Sequence, residues 1–167
     1  MGYDTFALES PAFAAGDSIP AIHTADGLNL SPPLRWRGEP ETTLTYVLVL
    51  DDPDAPTGTW IHWLLFNIPA TIHSLPTGLP RTPLLSNGAS HGLCWGVKRF
   101  NRMGYQGPQP PDGATHHYRF VLRALDTRLS LPAGCTLDQV HQASSGHIQA
   151  EARLIGLYAR EPASMVR

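Results

Sequence analysis

Two modules of the same make, well separated along the chain, constrain its fold more than any other feature. The first is Asp51-Asp52-Pro53-Asp54-Ala55-Pro56, leading into Trp60-Ile61-His62-Trp63. The second runs from Gly104-Tyr105-Gln106-Gly107-Pro108-Gln109-Pro110-Pro111-Asp112-Gly113 into His116-His117-Tyr118. In each, a turn of Pro, Gly and Asp delivers a strand-like apolar run with a histidine near its start. Proline cannot donate to a ladder, so these turns end strands rather than continue them. Two such modules meeting at one end of a sheet bring two histidines and two carboxylates into a small polar pocket.

The flanking sequence reads as strands too. Leu44 to Leu50 is apolar and β-branched with no breaker, the pattern of a buried central strand. Trp60 to Ile68 follows; Trp60, His62, Leu64 and Phe66 alternate with Ile61, Trp63 and Leu65, and both faces are apolar enough to be covered. His116 to Leu125 alternates with His116, Tyr118, Phe120, Leu122 and Ala124 toward a core and His117, Arg119, Val121 and Arg123 toward water. Residues 9–36 carry Pro11, Gly16, Pro20, Gly27, Pro32 and Pro33 and read as irregular chain with short strands. Residues 69–115 form a long loop-rich stretch, a length associated with function. Thr136-Leu137-Asp138-Gln139 has the form of a capping box and predicts a helix. Beyond Gly146, Ile148, Ala152 and Ile155 share a helical face, while Leu154 to Tyr158 also suits a terminal strand.

At 167 residues the chain is read as one domain, 1–167, able to close a core without staples. Charged residues are only 16%, against 15 Gly and 16 Pro, a profile of short strands and tight turns rather than a helix bundle. A net charge of -2 supplies no basic field for nucleic acid or an anionic membrane. Cys94 and Cys135 form neither a disulfide framework nor a CxxC pair. The first residues lack a basic, then apolar, leader pattern, and no apolar run approaches the about 20 residues needed to cross a bilayer. The expectation is a cytoplasmic protein.

Asp52 and Asp54 lie two apart, so in extended chain both face one cleft; the competing reading is a turn whose carboxylates cap backbone N–H groups. His62, set among apolar neighbours, needs a partner for its buried nitrogens, and a nearby carboxylate is expected to fix its tautomer. Two Asp and two His could ligate a metal, but no HExxH-like spacing is present. No GxSxG occurs, and Cys94 has no evident base. His62, His116, Tyr118 and backbone N–H groups therefore make a donor set for phosphate or carboxylate without any Lys or Arg. Lys98, Arg99 and Arg102 read as a solvated basic loop, with Trp95 and Phe100 beside them as candidates for a pocket mouth.

These residues resemble the phosphatidylethanolamine-binding protein family, which includes the Raf kinase inhibitor proteins, and most closely its compact bacterial and archaeal branch. Asp26-Gly27-Leu28-Asn29-Leu30-Ser31-Pro32-Pro33-Leu34-Arg35-Trp36 resembles the family's DGxNxSPPLxW element. Asp52 to Pro56 with His62-Trp63, and Gly104 to Pro108 with His116 to Tyr118, resemble its two signatures. The resemblance implies an all-β dominated, antiparallel β-sandwich with Greek-key connections and short C-terminal helices. It implies an anion-binding pocket of Asp52, His62, Gly107, Pro110, His116 and Tyr118, supported by Asp54 and Trp60. A small anion such as phosphate, a carboxylate or a phospholipid head group is the implied ligand, with no cofactor and no metal. It further implies a homodimer and a regulatory or inhibitory protein. The alternative is a family member recruited as an acid–base enzyme, a dehydratase or hydrolase, using the same Asp/His pocket. Against the family pattern, Gln109 replaces a cysteine, His117 an arginine and Arg123 a tyrosine, and Lys98-Arg99 stands where an Asn-Asp or Asn-Ser pair is customary.

Overall fold

A computed structural model describes residues 5–56, 58–94 and 102–160. Trp95, Lys98, Arg99 and Phe100 lie outside the described residues. Eight strands form two sheets: β1 (Ala7–Glu9), β2 (Leu34–Arg37), β3 (Thr45–Asp52), β4 (Trp60–Pro69), β5 (Ser74–Leu75), β6 (Ser90–His91), β7 (Thr115–Leu125) and β8 (Ile148–Ala159). The small sheet has the order β1-β2-β5 and the large one β6-β4-β3-β7-β8, with antiparallel pairing of neighbours throughout. A single α-helix among the described residues, α1 (Leu137–Ser144), carries the complete capping box between Thr136 and Gln139.

Burial decides this architecture. Leu48, Leu50, Trp63, Leu65, Phe120 and Leu122 on the large sheet pack against Leu8, Leu34 and Trp36 of the small one. The opposite face of the large sheet buries Val47, Val49, Ile61, Leu64 and Phe66 under Leu129, Cys135 and Val140 of the α1 region. The central strands β3 and β4 are therefore covered on both faces, which is why they read as near-continuous apolar runs. The stretch 69–115 is mostly loop, interrupted by the two-residue strands β5 and β6.

Two expectations give way. The segment after Gly146 is a strand and not a second helix: β8 pairs with β7 from Thr115↔Ala159 to Leu125↔Ile148. Its alternating burial from Ala152 onward matches the strand period, and one long ladder outweighs a weak helical face. The face assignment in β4 also changes. Leu50 pairs with Trp63, but Asp51 pairs with Ile61, so His62 is the extra residue of a β-bulge. A bulge resets alternation: Leu64 and Phe66 join Ile61 toward the helix, while Trp63 and Leu65 face the small sheet.

Candidate functional site

The bulge places His62 at the end of the large sheet where three other strands also terminate. Asp52 ends β3 opposite Trp60, the first residue of β4; His116 lies near the start of β7, paired with Tyr158 close to the end of β8. Asp52, Trp60, His62, Gly107, Pro110 and His116 line one cavity of ≈ 300 Å³, joined by Ala55, Pro56, Gln109, Pro111 and Arg160. The two turn modules thus do meet, and each supplies one wall.

The second wall is held by long-range bonds. The Gln106 N–H donates to the His62 carbonyl at 2.9 Å. The Gly107 N–H donates to Asn29 Oδ1 at 2.7 Å, the Ala25 N–H to the Pro108 carbonyl at 3.0 Å, and the Tyr105 hydroxyl to the His23 carbonyl at 2.5 Å. Arg81 Nε donates to the Tyr105 carbonyl at 2.8 Å. Gly107 is required by this closeness: a Cβ there would lie 2.6 Å from Asn29 Oδ1 and from the His23 carbonyl oxygen.

Asp52 is buried and serves two partners. Its Oδ1 accepts the Asp54 N–H at 2.9 Å, the capped turn, and its Oδ2 accepts from His116 Nδ1 at 2.7 Å. The histidine fixed by a carboxylate is therefore His116, and the expectation that this would be His62 is corrected. His62 Nδ1 instead donates to the Gln106 carbonyl at 2.6 Å. In both rings a fixed acceptor holds the proton on Nδ1, so Nε2 of the neutral ring is a lone-pair nitrogen, and becomes a donor only on protonation. Burial pushes the His62 pKa below its ordinary value, against opposing contributions from the Gln106 backbone and from Asp52.

Asp54 turns away from the cavity. Its Oδ2 accepts the His117 N–H at 2.7 Å and His117 Nδ1 at 2.8 Å, an exposed tie between the first turn and β7. These bonds from His117 hold the Asp54 carboxyl below its usual range. Only one of the two carboxylates thus faces the cleft, and Asp54 supports it from outside. Trp60 stacks on His62 with ring centroids 5.7 Å apart.

Tyr118 lies behind the cavity wall rather than in it. It is fully buried, in edge contact with His62 and stacked on His116. Its hydroxyl has no hydrogen-bond partner among the described residues, and burial raises its pKa well above the ordinary value. Arg160 is the charged lining residue that sequence reasoning missed, and the idea of a donor set without Lys or Arg is corrected by it. It stands just past β8, far along the sequence from either turn module, and no local motif marks it.

Other chemistry can be weighed from the same geometry. Cys94 Sγ is buried, its one S–H within reach of the His62 and Gly104 carbonyl oxygens at 3.2 and 3.1 Å. Burial pushes its thiol pKa up to about 12, the opposite of an activated nucleophile. Among the described residues no group of three or more His, Cys, Asp or Glu is arranged to hold a metal ion. No described helix is long and apolar enough to cross a membrane.

Comparison with known proteins supports the family and the fold. The phosphatidylethanolamine-binding protein family model matches residues 9–159. A UPF0098 protein of Methanothermobacter thermautotrophicus is 42% identical over 153 residues, covering 92% of this chain and 98% of that protein. One from Aquifex aeolicus is 40% identical, covering 91% and 87%. Among solved structures, a Chlamydia trachomatis protein described as a homologue of phosphatidylethanolamine-binding protein superposes with a TM-score of 0.84 at 34% identity, covering 94% of this chain and 99% of that one. Escherichia coli YbcL, described as a new member of the mammalian family, gives 0.84 at 31% identity over 95% and 100%.

Proposed function

The chain belongs to the phosphatidylethanolamine-binding protein family, and from that premise we propose that it is a binding protein for a small anion or phospho-head group, acting as a regulator or inhibitor. The observation that carries this reading is the convergence of His62, His116 and Arg160 on one cavity. Asp52, His62, Gly107, Pro110 and His116 form its wall, with Tyr118 behind, and Asp54 and Trp60 as supports. The fixed Nδ1 protons mean that a bound anion meets either a protonated Nε2 or brings a proton of its own. A hydrogen phosphate or a singly protonated phosphomonoester satisfies that condition. A cytoplasmic address and a homodimer complete the proposal; sedimentation of the purified chain tests the second.

Titration of inorganic phosphate and phosphoethanolamine against the wild type, His62→Ala and His116→Ala, followed by histidine NMR shifts, tests the pocket. Saturable shifts of His62 and His116 that weaken in the variants support it. Identical responses in all three proteins remove it.

The Asp52–His116 pair supports a second reading, an acid–base enzyme of the dehydratase or hydrolase kind. A buried carboxylate bonded to Nδ1 leaves Nε2 positioned to take or give a proton. Placement of the gene within a biosynthetic cluster would favour it. Turnover that is lost in His116→Gln while binding persists would establish it.

A further inference from the structure

Among the described residues lining the cavity, Arg160 is the one with a fixed positive charge. Its two acidic neighbours hold it unequally. Arg160 Nε forms an ion pair with Asp26 Oδ1 at 3.0 Å, and Asp26 is itself fixed, its Oδ2 accepting the Tyr158 hydroxyl at 2.8 Å. On the other side Arg160 Nη1 stands 3.8 Å from Asp112 Oδ1, a single loose contact to a side chain that is 50% exposed. The Asp112 side chain is not what ties its loop to the end of β8, because the Gly113 N–H already donates to the Arg160 carbonyl at 3.0 Å. An exposed, poorly aligned ion pair contributes little, so exchanging Asp112 for another oxyanion costs little. The guanidinium has five N–H donors, and its pairing with Asp26 is through Nε.

Asp52 sets the need for such a residue. Its carboxylate faces the same cavity, and repels an anion there; when both His rings are neutral, no lining side chain among the described residues other than Arg160 offers a compensating charge. A dianion feels a fixed positive charge about twice as strongly as a monoanion at the same distance.

We propose that Arg160 is the specificity-determining residue of this pocket: anchored by Asp26, it releases Asp112 to bind the ligand and so selects a doubly charged phosphate-type group over a carboxylate. The proposal rests on the anion-pocket reading and adds the class of ligand and the residue that chooses it.

The test compares inorganic phosphate at pH 8 with acetate on the wild type, Arg160→Gln, Arg160→Lys, Asp112→Asn and the Arg160→Gln/Asp112→Asn double variant. Thermal melts check that each is folded. Arg160→Gln should weaken phosphate about ten- to hundredfold, the value of a charged hydrogen-bond partner, and acetate by much less. Arg160→Lys should recover part of the loss, keeping the charge without the fork. Asp112→Asn should tighten phosphate a few-fold, and this gain should vanish in the double variant. Equal loss for both anions in Arg160→Gln overturns the selectivity. A gain from Asp112→Asn that persists without Arg160 overturns the exchange. Wild type that binds phosphate while Arg160→Gln is unchanged overturns only this inference, whereas wild type with no phosphate response overturns the pocket reading as well. Phosphoethanolamine in solution and vesicles containing phosphatidic acid separate the two sources of such a group; Arg160-dependent binding to either supports the assignment, and Arg160-independent binding to both overturns it.

Discussion

Asp52 on β3 and His116 on β7 are joined by an Oδ2–Nδ1 hydrogen bond of 2.7 Å, with only 5% and 7% of their side-chain surfaces exposed. The bond fixes which nitrogen of His116 carries its proton. It also makes Asp52 a shared node, since its other oxygen caps the Asp54 N–H.

Asp52→Asn leaves one acceptor where two are needed. One bond to a charged group is lost, so stability should fall by about 1.5–3 kcal/mol, read as a lower urea midpoint. If Asp52 serves mainly to orient His116, sulfate should bind more weakly in this variant. Tighter binding at every pH would mean that repulsion dominates and would refute the orienting role.

Tyr118→Phe removes a buried hydroxyl without a partner among the described residues. An unsatisfied buried group carries a desolvation cost of about 1–3 kcal/mol, so the variant should be as stable as the wild type or more so. Its sulfate affinity should stay within about twofold, a change too small for loss of a hydrogen bond to the ligand. A tenfold loss would return the hydroxyl to the binding surface.

Sulfate keeps its charge between pH 8 and 5.5 and brings no proton. Burial lowers the His62 pKa, so this ring is neutral at pH 8, with a lone pair on Nε2. Binding should therefore draw a proton into the pocket and tighten as pH falls, because a charged donor makes the stronger bond. Calorimetry in buffers of different ionisation enthalpy should register proton uptake near pH 6, and His62→Gln should reduce both uptake and pH slope. Proton release would contradict the tautomer.

His91 predicts acid sensitivity elsewhere in the fold. Trp63 Nε1 donates to its Nε2 at 3.1 Å, and its Nδ1 donates to the Thr82 carbonyl at 2.6 Å, so the buried ring is bonded as the neutral species. Burial lowers its pKa, with Arg81 adding to the effect and the Thr82 carbonyl opposing it. The unfolded chain then takes up a proton first, near pH ~6.5. Stability should be full above that value and decline as pH falls from it to the lowered folded-state pKa, where the slope ends. His62 adds a contribution of the same sign. Urea melts between pH 7.5 and 5 check this, and His91→Gln should show a shallower decline.

The sequence by itself determined several of the strands and turns, because those are set by near neighbours. The alternation of His116 to Leu125, the unbroken run before Asp51 and the capping box at Thr136 each express a local rule, and each element formed where its pattern lay. Only the tertiary structure decided which residues meet. The bulge that turns His62 off its alternating face arises from the register between β3 and β4, and register belongs to a pair of strands. The extent of β8 was decided by its ladder with β7, which outweighs the helical spacing of three residues. Asp52 found His116, and His62 found the Gln106 carbonyl, because strand ends and loop ties brought them together. Arg160 enters the cavity from the far end of the chain, paired with Asp26 near its beginning. Nothing local to either residue encodes that contact, since its energy exists only after the sheets have packed.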